Sequence, residues 1–534
     1  MRKRAEIEAE ITQDDIELIK CEEHNSDEEL GDGDEDVNHQ QRRVLGIEDM
    51  LEGSGGFGNI QIWTFSLCIL VGCMSTTFIH TMPFLEKYPS LVCQHEDGKM
   101  YFCEKKDICS NGELIPGKKW GIDDHDDQTL THNWITQMNL YCESNFNIGL
   151  LGSVYFVGFV LSGFILMLAD VYGRKKLTII GTFVTTICIY GLFYCTDITH
   201  AYIWLFLTGL SIFRLYSIYM LSMEITRKKS QIYISSIFLA GKGLISVMIP
   251  SFYFLLGGKN WRIPYSFAII MAPLLCVLTF FIPESPRYYY ERRMYPQLRN
   301  LIRKFAKTNG AKMDHNYDID KEIEDIRLKS KGKSGEKSKF YYLKDRLIFW
   351  NLCVVIICFI AVSFDSYLIG FHIKYIKGNL YFLTIVSTVS DCTATMLAGL
   401  LQKLLNTKRT LLISYISAMI CGLPLIISSD TKWLIPFCIF GAKFGLAVGF
   451  NMIYFINSEI FPTLFVSFAF TVGNIFSRSV TIFAPLVAEI PEPTPMKLFC
   501  FAALVASGAT FLLSSQTKEE NPAETRKKDE SSKK

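Results

Sequence analysis

The chain has 534 residues, of which 49% are hydrophobic, 13% aromatic and only 20% charged, with Phe alone at 40. The net charge of +1 hides a segregation: acids crowd the N-terminal tail (Glu22, Glu23, Asp27, Glu28, Glu29, Asp32, Asp34, Glu35, Asp36), and bases crowd a central segment and the C-terminus. A soluble protein this long would split into several domains with more charge, and short basic runs beside apolar stretches give no nucleic-acid surface.

Twelve stretches are apolar over the roughly 20 residues that a helix needs to cross a bilayer's hydrocarbon core. There, only helices or closed barrels satisfy their own backbone. The first six lie near 60–82, 148–169, 177–195, 201–223, 232–256 and 263–282. The second six lie near 347–369, 380–401, 411–427, 433–455, 464–487 and 496–513. This pattern predicts an all-α membrane protein of two six-helix halves, 60–283 and 347–515, with a binding site between them at the midplane. The remainder divides into an acidic, disordered tail (1–59), a loop between spans one and two (83–146), a central linker (284–346) and a C-terminal tail (516–534).

A charged, non-apolar stretch of more than fifty residues precedes the first span, so no cleaved signal peptide is expected and that span itself anchors the chain. Arg174, Lys175, Lys176, Arg227, Lys228, Lys229, Lys403, Lys408 and Arg409 lie in short loops on one face, against Lys259, Arg262, Lys374, Lys377, Lys432 and Lys497 on the other. With the seventeen Lys and Arg of the linker, this bias puts the linker and both termini in the cytoplasm. Four of the sixteen cysteines, Cys93, Cys103, Cys109 and Cys142, fall in the opposite-facing loop 83–146. No zinc-type spacing is present, so two disulfides are expected, with three pairings open.

Within the linker, Leu298, Leu301, Ile302 and Phe305 share one helical face, which predicts an amphipathic helix on the inner membrane surface. Residues 329–339 (KSKGKSGEKSK) are low-complexity and expected to be disordered.

Three motifs narrow the class. After span two, Asp170-Val171-Tyr172-Gly173-Arg174-Lys175-Lys176 resembles the major facilitator signature G-x-x-x-D-R-x-G-R-R, with Leu166 at its first Gly and Val171 at its first Arg. A tight Gly turn there brings basic residues to a carboxylate and a helix terminus in the other half, closing the cytoplasmic side. At the end of span six, Pro283-Glu284-Ser285-Pro286-Arg287-Tyr288 resembles the P-E-S-P-R-[WY]-L signature shared by sugar porters and the organic cation and organic anion transporters (solute carrier family 22). Gly441-Ala442-Lys443-Phe444-Gly445, Glu459-Ile460-Phe461-Pro462-Thr463 and Gly378-Asn379-Leu380-Tyr381 resemble patterns of the organic ion family. The four-cysteine loop fits that family too, and the sugar-porter Q-Q-x-x-G-x-N is absent after span seven. The resemblance runs from Ile60 to the end of span twelve and implies the major facilitator fold and alternating access. Asp170, Gly173, Arg174, Glu224, Glu284, Arg287 and Glu459 form the implied gating set.

Ionisable residues inside spans are costly in hydrocarbon and face a cavity or a partner. Arg478 lies on one helical stripe with Thr471, Asn474 and Thr481. The resemblance puts Arg478 where organic anion members carry Arg and organic cation members Asp. An Arg supplies a permanent charge and a bidentate fork for a carboxylate; pairing with an acid of span seven or eight is the competing role. Arg214, Lys242 and Lys443 add three intramembrane cations against Asp365 and Asp391. Tyr219 and Tyr367 are the aromatic candidates. His80 is expected at the interface near the end of span one.

The expected function is secondary transport of small organic ions, anions preferred, at the plasma membrane. An organic cation or sugar-type carrier and a non-transporting receptor-like relative are the alternatives. Missing here are the Arg before Phe206-Leu207-Thr208-Gly209, replaced by Leu205, and the span-eight Lys of anion members, matched by Thr395. Exchange and facilitated diffusion therefore stay open beside proton coupling. No nucleophile–base set, phosphate loop or metal cluster is seen, so no enzyme, cofactor or metal is expected. The partners are the small organic ion and the lipid bilayer, with a monomer sufficient for transport.

Overall fold

Apolar run length becomes helix length in the computed structural model, which describes residues 47–95, 97, 99–123, 131–256, 260–311, 343–427 and 433–513. The N-terminal half holds α1 (Asn59–Leu85), α2 (Asn145–Tyr172), α3 (Arg174–Tyr194), α4 (Ile198–Glu224), α5 (Lys228–Leu256) and α6 (Arg262–Thr279). The C-terminal half holds α7 (Arg346–His372), α8 (Leu380–Leu405), α9 (Thr407–Ile427), α10 (Leu434–Ile460), α11 and α12 (Thr494–Phe511). Eleven of these are long and apolar enough to cross a membrane; in α5 the apolar portion is Gly241–Leu255.

Three spans are broken. Helix α2 is made of Asn145–Met167 and Ala169–Tyr172, α4 of Ile198–Leu210 and Phe213–Glu224, and α11 of Thr463–Thr481 and Ala484–Ala488. A break frees backbone carbonyls, which in a membrane need new donors. The Ser211 carbonyl accepts from the Arg214 side chain at 3.2 Å. The Ile482 carbonyl accepts from Ser153 Oγ of α2 at 2.7 Å, a bond between the halves. Local chemistry starts the helices: Gly378 (φ 137) turns the chain into α8, and Asn379 caps it by accepting from Phe382 N–H at 3.1 Å. The G-N-L-Y motif is thus a turn and a cap.

The loop between α1 and α2 departs from the all-α expectation. It carries β1 (Leu91–Gln94), β2 (Met100–Cys103), β3 (Cys109–Ser110), β4 (Glu113–Leu114) and β5 (Trp120–Ile122). β1 pairs antiparallel with both β2 and β5, and β3 with β4. Strands of two to four residues are too short for periodicity to reveal, and cross-links hold them: Cys93–Cys103 and Cys109–Cys142 are closed. No thiol reagent should label these four before reduction. The 33-residue separation of the second bond against 10 for the first makes its loss costlier by about 1 kcal/mol in chain entropy. Thermal unfolding of the two Cys→Ser pairs should show that order.

The amphipathic linker helix exists, as Tyr295–Asn309, but its apolar face does not meet lipid. Leu298, Ile302 and Phe305 are fully buried in a cluster with Met50, Leu51, Ile60 and Phe65. The tail is likewise ordered from 47 onward, where the helix Ile47–Gly53 joins that cluster. Asn309 ties the pieces together, accepting from Ile60 N–H at 3.3 Å and donating to Ser54 O and Gln61 Oε1 at 3.1 Å each. Residues 1–46, 329–339 and 516–534, where disorder and tails were expected, lie outside the described residues.

Candidate transport site and gates

Three layers join the halves or shape their faces: a charge cluster beside the disulfide loop, an aromatic and cationic centre at mid-depth, and a capped turn on the linker face.

At the centre, α11 presents Arg478. Its Nη1 donates to Tyr367 Oη (3.2 Å) and Ser363 Oγ (3.4 Å) of α7. The guanidinium also lies 4.8 Å from the ring centre of Phe159 in α2 and 5.6 Å from that of Tyr367, cation–π range from both halves. Tyr216 and Tyr454 are close enough to interact with it electrostatically and remain 38% and 40% exposed. Among the described residues no carboxylate pairs with Arg478, so the expected competing role, a partnership with Asp365 or Asp391, is not what the structure holds. Lys242 of α5 is within electrostatic reach of Arg478, with its Nζ 5.6 Å from the Phe238 ring centre. Asn474 lies one turn before Arg478, donating to Phe470 O at 3.1 Å.

Other expected site residues are placed differently. Asp391 and Lys443 form an ion pair at 3.0 Å, so neither is a free counter-charge. Asp365 is fully buried, and neither oxygen has a partner among the described residues. It stands two residues from both Ser363 and Tyr367, hence on the opposite face of α7 from Arg478. Tyr219 shares a hydrogen bond with Ser235 at 3.0 Å and packs on Phe238. His80, expected at the interface, lies within electrostatic range of Lys242 and Lys443. Arg214 turns into the N-terminal half, bonding Ser75 and Ser211. Phe159, Ser363 and Tyr454 were missed; Ser363 was readable as the residue one turn before Tyr367, whereas the other two look like ordinary core aromatics.

On the linker face, Gly173 (φ +95) makes the turn between α2 and α3. Glu284 Oε1 accepts the Arg174 and Lys175 backbone N–H groups (2.9 and 3.1 Å), capping α3. Arg174 pairs with Asp170 (3.1 Å) and Glu224 (2.8 Å), and Ser285 donates to Glu224. Arg287 pairs with Glu291 one turn along its own helix at 2.8 Å. These contacts stay within the N-terminal half and the start of the linker; with the disulfide face closed, the turn meets no carboxylate of the other half among the described residues. In the C-terminal half, Glu459 accepts from Thr407 Oγ1 (2.7 Å) and Gln402 Nε2 (3.1 Å). Thr407 follows the positive-φ Asn406 as Arg174 follows Gly173, so a hydroxyl stands where the first half has a guanidinium. A Cβ on Gly173 would lie 2.3 Å from Glu284 Oε2, and the backbone strain adds about 1–3 kcal/mol. Gly173→Ala and Arg174→Ala should therefore slow turnover at little change in half-saturating substrate, checked by initial-rate uptake.

On the disulfide face, Lys374, just past α7, reaches Glu86 after α1 at 2.9 Å and Glu489 after α11 at 2.6 Å. Its side chain and that of Glu86 are fully buried, and that of Glu489 nearly so. Lys87 Nζ donates to the Lys374 carbonyl, and Tyr375 Oη to Glu489. Below, Phe84, Tyr253 and Tyr381 pack ring on ring from α1, α5 and α8, and Gly152 of α2 lets Pro485 of α11 approach so closely that a Cβ would sit 2.8 Å from it. The halves are thus closed against each other here. Burial raises the Glu86 carboxyl to about 7, with Lys374 opposing and Glu489 adding to the rise. For Lys374, burial pulls down, but Glu489 and Glu86 outweigh it and raise the ammonium above its ordinary value.

This arrangement of two six-helix bundles has known counterparts. Residues 133–485 match the Major Facilitator Superfamily. The human "Organic cation/carnitine transporter 2" is 24% identical over 360 residues, covering 66% of this chain and 63% of that protein. "Organic cation transporter 1" of Caenorhabditis elegans is 21% identical over 513 residues, 87% of this chain and 85% of that protein. "Organic cation/carnitine transporter 6" of Arabidopsis thaliana is 22% identical over 496 residues, 89% and 90%. Among solved structures, the xylose transporter XylE from E. coli, in a partially occluded inward open conformation, superposes with a TM-score of 0.58 at 13% identity over 86% of this chain and 98% of that one. The profile match and the apolar helical bundle together make the chain a multi-pass membrane protein of the Major Facilitator Superfamily.

Proposed function

We propose that the chain is a secondary transporter of small organic ions that bear a carboxylate or similar group, organic anions preferred, working by alternating access. The observation that carries this is Arg478: a permanent cation at the junction of the halves, held only by neutral groups and aromatic faces among the described residues. A guanidinium whose charge is not cancelled in a low-dielectric cavity favours an anionic group and offers it a fork. Lys242 adds to the same field. The clamp of Lys374 on Glu86 and Glu489 supplies a gate on the disulfide face, and the Glu284-capped turn belongs to the opposite gate. Disulfides need an oxidising compartment and the basic loops lie on the other face, which supports a plasma-membrane protein with linker and both termini cytoplasmic.

A second reading has its own support: relatives are named for organic cations and carnitine, and the exposed rings of Tyr216 and Tyr454 could face an alkylammonium. Uptake into proteoliposomes decides. An aromatic carboxylate should enter, while a tetraalkylammonium ion and a hexose should not. Carnitine entering with the carboxylate fits the proposal; uptake of the tetraalkylammonium alone establishes the second reading. Uptake of none points to a non-transporting relative.

A further inference from the structure

Arg214 stands apart from the central site. Its side chain is 97% buried by the complement of its 3% exposure, inside the N-terminal half. Its three described hydrogen bonds all go to neutral oxygens: Ser211 O (3.2 Å), Ser211 Oγ (3.4 Å) and Ser75 Oγ (3.0 Å). A guanidinium has five N–H donors, so donors remain after these bonds, and no carboxylate pairs with it among the described residues. A buried charge without a counter-charge costs several kcal/mol.

Beside it is a small cavity with room for a single water or small ion, lined by Ser75, Tyr155, Thr185, Thr208 and Arg214 among others. Tyr155 comes from α2 and is also buried, at 3% exposure, yet its hydroxyl makes no hydrogen bond among the described residues. A buried phenol that forgoes its bond is unusual. Two unspent donor sets, one carrying a full positive charge, thus border one small cavity with no acid described in its wall.

We propose that this cavity is a binding site for one small monovalent inorganic anion, held between the Arg214 guanidinium and the Tyr155 hydroxyl. The anion cancels the buried charge and fastens α2 to α4 next to the α4 break. The site is distinct from the Arg478 centre, although Tyr155 also lies within electrostatic range of Tyr367 and Arg478, and it stands independently of the transported ion's charge sign. A polyatomic organic ion does not fit so small a space.

The test uses the full chain in detergent, with chloride as the probe, replacing sodium gluconate stepwise by sodium chloride at constant ionic strength. The unfolding midpoint should rise with chloride to a plateau in the unaltered protein and in Arg478→Gln, and stay flat in Arg214→Gln. Tyr155→Phe keeps the ring and removes one donor to the ion, so half-saturating chloride should rise roughly tenfold. Bromide should give an anomalous peak between Arg214 and Tyr155, a readout that holds even where Arg214→Gln does not fold. An unaltered protein indifferent to chloride overturns the site. So does a shift that survives in Arg214→Gln, one lost in Arg478→Gln, or bromide found at Arg478 alone.

Discussion

Replacing Arg478 with alanine should abolish uptake of an organic carboxylate. The guanidinium has no acid of its own among the described residues, only Tyr367, Ser363 and the Phe159 and Tyr367 rings. Its charge is therefore available to the substrate, and removing it leaves the substrate's carboxylate unpaired, at roughly 2–5 kcal/mol. Arg478→Lys should recover uptake only in part, because a point charge replaces a planar fork and loses the stacking on Phe159. Arg478→Asp should shift preference toward an alkylammonium ion among the surrounding rings. Concentration-dependent uptake of a carboxylate and a tetraalkylammonium ion, compared across the three variants, checks all three statements. The opposite finding, full carboxylate uptake by Arg478→Ala, would falsify the role of Arg478 as counter-charge. Partial rescue on adding Asp391→Asn would mean that Arg478 and Asp391 meet elsewhere in the cycle, since Asp391 here belongs to Lys443.

Local signals made the spans, the amphipathic linker helix and the Arg478 stripe legible, because run length and helical spacing are properties of neighbouring residues. The four loop cysteines were legible as disulfides, but their pairing waited on five strands too short to announce themselves. What sequence hid was convergence. Glu86 and Glu489 are ordinary acids at helix ends, and Lys374 counted only as a loop charge in the topology argument. Nothing local says that the ends of α1, α7 and α11 bring both acids within 3 Å of Lys374. The placement of Arg214, Asp365 and Asp391 away from Arg478 was hidden for the same reason: spacing along one helix does not tell which neighbour each face meets. The linker-helix face shows it again, since a face apolar enough for lipid serves equally well against Met50 and Leu51.

Acidification should tighten the disulfide face, and loss of Lys374 should open it. In the closed cluster, Glu86 is raised from its ordinary value of 4.5 to about 7, first by burial, then by Glu489 against the pull of Lys374. Once the face opens and Glu86 meets water, it returns toward 4.5. A carboxyl raised in the closed state binds its proton more tightly there, so closing takes up a proton and is favoured as pH falls through 7 toward 4.5. Lys374 is raised as well, but it is charged in both states across this window and adds no slope. Tyr375 is held up by burial above its ordinary value and also keeps its proton. His372 contacts Glu492 and the Ala488 carbonyl within the C-terminal half and lies within electrostatic range of Lys374, so the Glu86→Gln variant is what separates its titration from that of Glu86. The closed population should therefore rise relative to the open one by roughly twentyfold between pH 7.5 and 5.5. Glu86→Gln should stay closed across that range and lose the dependence. Lys374→Met is the larger change: it leaves two carboxyls facing each other without their shared cation, worth about 3–5 kcal/mol when one partner of a buried pair is removed. Spin labels at Arg262 and Lys497, on the disulfide-face ends of α6 and α12 in opposite halves, report the separation. The Lys374→Met distances should lengthen, and at low pH they should shorten again as the two acids protonate. Distances that ignore Lys374→Met would show that packing of Phe84, Tyr253 and Tyr381 alone keeps this face shut.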